Sequence, residues 1–227
     1  MSNGLNWQEG NAKYLAAALT WLRASMEQFI DRQQEKPIAV VLPAAQPTEE
    51  PKSIWRRFAS RAPELPPRTP NLLLTGTATR DGEDVVRAAA AMQAAATEMD
   101  PPPAPVILSQ RLGLSQFEQQ LLLLCLGMEL DTSIAGLCAR CQKDSARAYP
   151  TFALAFALFE GASWEAVSPE RPLRFWRLIE ISQPGGQPLT TSALRADERI
   201  VNYCKGLNYL DDRLFPLLVA MDVQAGA

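Results

Sequence analysis

Cys138-x-x-Cys141 is the spacing in this chain that most directly invites chemistry, since a paired thiol can hold zinc or cycle as a dithiol. Two further thiols, Cys125 and Cys204, stand too far apart to make a second ligand pair. The 227 residues include no His, which removes the Ser-His-Asp and Cys-His arrangements and the commonest metal ligand together. Cys138 and Cys141 also continue an apolar stripe with Ile134 and Leu137, at i, i+3, i+4 and i+7. The spacing therefore predicts buried structural thiols. Glu129 with Asp131, and Asp211 with Asp212, are the carboxylate pairs available for acid–base work. Nothing convergent accompanies them, and they fall at predicted helix ends, where Asp caps. The segment GTATRDGED lacks the Gly-Lys-Ser/Thr of a phosphate loop. No catalytic, cofactor-binding or metal-binding residue is assigned.

Composition bounds the rest. A formal net charge of −3 argues against a general nucleic-acid binder, which carries a net basic face. The start, MSNGLNWQEG, lacks the basic and apolar regions of a secretory signal. No apolar run approaches the ~20 residues needed to span a bilayer. The expectation is a cytoplasmic chain with reduced thiols and no membrane span.

The elements come in five blocks. Residues 1–36 read as one long helix from about Trp7, with Leu15, Leu19, Leu22, Met26 and Phe29 forming an apolar seam. Such a seam docks on this chain's own core or on the same helix of another copy. Residues 37–70 hold eight prolines and read as a linker. The island SIWRRFASR interrupts it, with Trp55, Arg56 and Arg57 as candidate contacts to an acidic protein partner or a membrane surface, and an aromatic anchor to the core as the competing reading. Residues 71–113 form a helical subdomain: an Ala-rich helix over Glu83–Met99 with a stripe of Val85, Ala89, Met92 and Ala96, then a short helix from Pro105 to Arg111 that Gly113 ends.

Residues 114–214 carry the clearest signals. Ser115 and Glu118 match a capping box. The apolar run Leu121–Leu126 leaves its helix no polar face, so it must be buried on most sides. Asp131 or Thr132 starts the next helix, Pro150 the one after, and Ser168-Pro169-Glu170 a short fourth. RLIEI then reads as a strand, Pro184-Gly185-Gly186 as a turn, and Leu189–Thr191 as the return strand. Asp197 caps a last helix through Cys204, which Gly206 stops. Residues 215–227 read as a tail. Helices followed by a hairpin are the order of a winged helix. The fold class is therefore mainly α: a helical N-terminal region plus a winged-helix domain with a small two-stranded β-hairpin.

A winged helix raises the alternative of a DNA-binding regulator. In that case the second helix of the helix-turn-helix offers Arg, Lys, Asn or Gln to base edges. The matching segment here, TFALAFALF, has no charged or amide side chain between Thr151 and Phe159. It belongs in a core or against protein. Arg171, Arg174 and Arg177 cluster near the wing and keep a phosphate contact open as a weaker reading.

The segments GLSQFEQQLLLLCLGMELD, AYPTFALAFALF, PLRFWRLIEI and PLTTSALRADERIVNYCKGLNYLDDRL together resemble the N-terminal region of a family of bacterial AAA+ ATPases. These are the ATPases encoded with extracellular contractile injection systems, the phage-tail-like particles. The resemblance covers about Pro105 to Leu214. It implies a non-catalytic protein-interaction region that recognises particle components or cargo and positions its own ATPase module, in an oligomeric full-length protein. This chain contains neither Walker A nor Walker B motif. ATP and Mg are expected only for an ATPase module outside these 227 residues, and nucleic acid is disfavoured as a partner.

Overall fold

The computed structural model describes residues 2–35 and 80–207. Helices α1 (Ser2–Glu35), α2 (Arg80–Thr97), α3 (Ala104–Leu112), α4 (Gln116–Leu130), α5 (Ser133–Cys141) and α6 (Phe152–Leu158) follow one another. Then come a 3-10 turn (Trp164–Val167), α7 (Pro172–Phe175), strand β1 (Ile179–Ser182), strand β2 (Ala193–Ala196) and α8 (Glu198–Cys204). The strands pair antiparallel, with Ile179 opposite Ala196 and Ser182 opposite Ala193. This is the expected mainly helical chain with a two-stranded wing.

Helix α4 is the centre. Its capping box is complete: the Ser115 hydroxyl accepts from the Glu118 N–H at 3.3 Å, and Glu118 Oε2 accepts from the Ser115 N–H at 2.8 Å. Leu121, Leu122, Leu124, Cys125 and Leu126 are all buried, as a helix without a polar face requires. Helices α1, α5 and α6 and strand β2 pack around it. Gly127 sits where α1 crosses: a Cβ there would lie 2.8 Å from Leu22 Cδ2, so the missing side chain permits the close approach.

The seam of α1 is spent inside the chain. Leu15, Ala18, Leu22, Met26 and Ile30 are buried, with Leu22 and Met26 in the same core cluster as α4. Leu19 is only half-buried, and Ile30 rather than Phe29 closes the seam. Helix α2 lies along α1, and the small Ala88 and Ala95 form the contact line. The predicted residues Val85, Ala89, Met92 and Ala96 flank that line half-buried.

Three local expectations are corrected. Thr151, not Pro150, caps α6, its hydroxyl accepting from the Leu154 N–H at 3.0 Å. Ser168 makes a tight turn to the Glu170 N–H, and α7 begins only at Pro172. Leu189–Thr191 is a 3-10 turn, and the return strand is Ala193–Ala196. There Leu194 and Ala196 face the core while Arg195 faces out. At the α4–α5 corner, Asp131 supplies the capping oxygen, accepting from both the N–H and the hydroxyl of Ser133.

One side chain closes the helical end of the molecule. Asn11 of α1 is buried; its amide donates to the Cys204 carbonyl at 2.8 Å and its oxygen accepts from the Ala104 N–H at 2.9 Å. It thus satisfies the orphan C-terminal carbonyl of α8 and the orphan N-terminal donor of α3. Leaving a buried backbone group unpaired costs roughly 1–3 kcal/mol. Asn11→Leu orphans both, and is expected to lower the unfolding free energy by about 3 kcal/mol in urea titrations followed by circular dichroism. An unchanged midpoint would show that the clasp contributes nothing.

Candidate functional site

The site begins with the helix that would read DNA in a regulator. In α6, Phe152, Leu154 and Ala155 are buried, and so is Phe159 just past its end. Its outer positions are Ala153 and Ala157, which offer no donor to a base edge. Phe156 is half-buried and lies in an aromatic stack. Its ring is 5.5 Å from Phe117 of α4, 6.4 Å from Phe152 and 5.8 Å from Trp164. Trp164 thus covers the half-buried Phe156, while Ala153 and Ala157 stay exposed.

The arginine cluster beside the wing is largely engaged. Arg171 forks onto Glu118, Nε to Oε1 at 3.2 Å and Nη2 to Oε2 at 2.7 Å. The Glu118 side chain is fully enclosed. Burial alone would raise its carboxyl pKa, but the Arg171 bond, the bonds from Ser115 and the Arg171 charge together outweigh burial and hold it below the usual carboxylate range. Arg174 donates to the Val167 carbonyl at 2.7 Å. On the wing, Arg195 pairs with Glu129 at 2.8 Å. Near the α4–α5 corner, Arg23 lies 3.4 Å from Asp131. Among the described residues, cations interleaved with carboxylates in this way build no broad positive groove for phosphates.

What the surface does present is aromatic. Trp164 is 68% exposed, Phe175 61% and Trp176 53%. Among the described residues only one other large hydrophobic residue, Val86, is as open, and these three fall within thirteen positions. Phe175 and Trp176 meet edge to face at 4.9 Å and 88°. The end of α7 sets their exposure. The Leu178 N–H returns to the Leu173 carbonyl at 2.9 Å and the Arg177 N–H to the Arg174 carbonyl at 3.1 Å. That is a Schellman turn, with Arg177 at φ 51° in the left-handed position usually held by Gly. Leu173 and Leu178 are buried on either side of it, so the residues between them are turned outward. Helix α7 packs on the 3-10 turn that carries Trp164. Beside them, Trp164, Val167, Pro169, Arg174 and Leu189 line an open groove of about 410 Å³.

A family model for the variant winged-helix domain matches residues 9–218. The chain belongs to that family. No curated protein and no solved structure gives a significant match. The match takes in α1 and α2 as well as α3–α8, in keeping with the single core that α1 shares with α4–α6. Winged-helix domains serve interactions with protein or nucleic acid.

Within this winged-helix domain the sequence-derived candidates fare unequally. Leu15, Leu22 and Met26 are buried against the chain's own helices, the own-core alternative of the seam, and Leu19 stays half-buried. Trp55, Arg56 and Arg57 lie outside the described residues, as do Asp211 and Asp212. Sequence reasoning missed Trp164, Phe175 and Trp176. The available signal was aromatic residues in short segments that belong to no amphipathic seam. Gln142, just past α5, is a hub: its amide donates to the carbonyls of Arg147 and Tyr149, at 2.8 and 2.9 Å, and its oxygen accepts from the Thr151 hydroxyl at 3.1 Å.

The four thiols are buried and free, and no group of three or more His, Cys, Asp or Glu fit to hold a metal occurs among the described residues. Burial pushes the thiols of Cys138, Cys141 and Cys204 up to about 12, and Cys125 higher still. Among the described residues no helix is long and apolar enough to cross a membrane.

Two outcomes are expected. At about pH 8, where a free thiol reacts readily, Ellman's reagent should modify none of the four cysteines in the native protein and all four in guanidinium. Rapid modification of Cys138 or Cys141 in the native state would contradict their burial. Arg171→Met leaves Glu118 enclosed without its partner; the cost should be about 2 kcal/mol, below that of a fully buried pair because Arg171 is partly solvated. Because the folded pKa of Glu118 is depressed, its contribution is complete above the unfolded value of about 4.3 and fades as pH falls through the folded one. The gap in stability between wild type and Glu118→Gln should therefore be full at neutral pH and close in acid.

Proposed function

We propose that this winged-helix domain is a protein-interaction module that makes no use of its fold for reading DNA. One observation carries the reading: the helix in the base-reading position turns Phe152, Leu154 and Phe159 into the core and shows only alanines outward. The exposed Trp164, Phe175 and Trp176 supply the contact surface, since tryptophan and other aromatic anchors dominate protein interfaces. In the finer reading, the chain is the non-catalytic N-terminal region of a contractile-injection-system AAA+ ATPase. It recognises particle components or cargo for assembly or effector loading. ATP and Mg belong to an ATPase module outside this sequence, and the full-length protein is an oligomer. The resemblance of the segments between Pro105 and Leu214 supports that finer reading.

A pull-down with the 227-residue chain from cells making such a particle is expected to return particle or cargo proteins. Trp164→Ala combined with Trp176→Ala should weaken that capture about tenfold or more, with little change in the thermal midpoint. Recovery of nucleic acid alone, together with a shift of duplex DNA in low-salt gels, would overturn the proposal in favour of a regulator.

A further inference from the structure

The wing has an outer edge whose backbone groups are unspent. In an antiparallel ladder, hydrogen-bonded and non-bonded residue pairs alternate along the strands. The Asp197 N–H donates to the Leu178 carbonyl at 3.1 Å, while the Leu194 N–H turns away from β1 to the Pro150 carbonyl at 2.9 Å. Glu180 stands opposite Arg195 and Ile181 opposite Leu194. The N–H and C=O groups of Ile179 and Ile181 therefore point away from β2. Among the described residues no third strand lies beside β1 and no hydrogen bond reaches those groups. The β2 side, by contrast, is occupied at Leu194 by Pro150. An open edge of this kind is a template for pairing with another chain.

We propose that the outer edge of β1 takes an extended segment of a partner protein as a third, antiparallel strand, with apolar and basic residues alternating along it. The inference rests on the reading of this domain as a protein-interaction module and names how it binds. Three observations select the occupant. First, Ile179 is buried and Ile181 half-buried on one face, while Glu180 and Ser182 are exposed on the other. An added strand continues that alternation, so its apolar side chains lie beside Ile181 and the others beside Glu180. Second, Glu180 makes no ion pair among the described residues, because Arg195 opposite it is spent on Glu129. Opposite charges across a strand pair stabilise it, which selects Lys or Arg beside Glu180. Third, a second copy of β1 is a poor occupant. The antiparallel register that uses both Ile179 and Ile181 of each copy sets the two Glu180 carboxylates directly opposite one another, and like charges there repel. A strand antiparallel to β1 also runs toward Phe175 and Trp176, which immediately precede the turn into β1. Its continuation would meet the exposed aromatic corner.

The probe is a capped pentapeptide of alternating valine and lysine, titrated into the full chain and followed by amide exchange in NMR spectra. Saturating peptide should slow exchange of the Ile181 amide about tenfold or more and leave Glu180, whose N–H already faces β2, unchanged. N-methylation of the central valine removes a donor to the edge and should weaken binding about tenfold, whereas N-methylation of a lysine, whose amide points away, should not. Glu180→Lys, an exposed change, should reverse the preference for this peptide over its glutamate counterpart. Ile181→Pro removes an outward donor and no ladder bond, and should abolish binding. No binding, or binding indifferent to which amide is methylated, would overturn the proposal. In the particle pull-down, capture that survives both Ile181→Pro and Glu180→Lys but fails with the tryptophan double variant would overturn the added strand alone and leave the protein-interaction reading standing.

Discussion

Helix α4 has almost no polar face, and the remaining architecture keeps water off it. Leu121, Leu122, Leu124, Cys125 and Leu126 cannot all be covered by one neighbour, so α1 crosses one side, α5 and α6 others, and β2 closes the remaining edge. The requirement decides more than stability. It draws Phe152 and Phe159 of α6 inward, and with them the surface a DNA-binding winged helix would keep for base edges.

Much of this was legible in the residues. The Ser115–Glu118 box, the stripe that buries Cys138 and Cys141, and Asp197 at the start of α8 are short-range patterns that formed where their spacing placed them, and the seam of α1 did so but for Ile30 in place of Phe29 and a half-buried Leu19. The return strand was missed because its sequence, Ala-Leu-Arg-Ala, carries no β signal. It is a strand because Leu194 and Ala196 find α4 beneath them. Leu189–Thr191 looked more suitable, yet Pro188 fixes a 3-10 turn there, and the Ser192 hydroxyl donates back to the Pro188 carbonyl at 2.9 Å.

The site was less legible than the fold, for a related reason. Trp164 and Phe175 sit in segments of four residues, and Trp176 just past one, too short to show a period. Their exposure is decided by what their neighbours do: Leu173 and Leu178 go in, so the pair between them goes out. Asn11 is harder still. Its two bonds reach 93 and 193 positions along the chain, and no local window contains the reason for its type.

The carboxylate of Glu118 answers to two elements at once. Through one oxygen it finishes the first turn of α4; through both it grips Arg171, the residue from which α7 springs. The heart of the molecule and its outward aromatic corner therefore share a single hinge-pin. Sliding α7 along would therefore require a different start for α4, so the placement of the aromatic corner is tied to the geometry of the core.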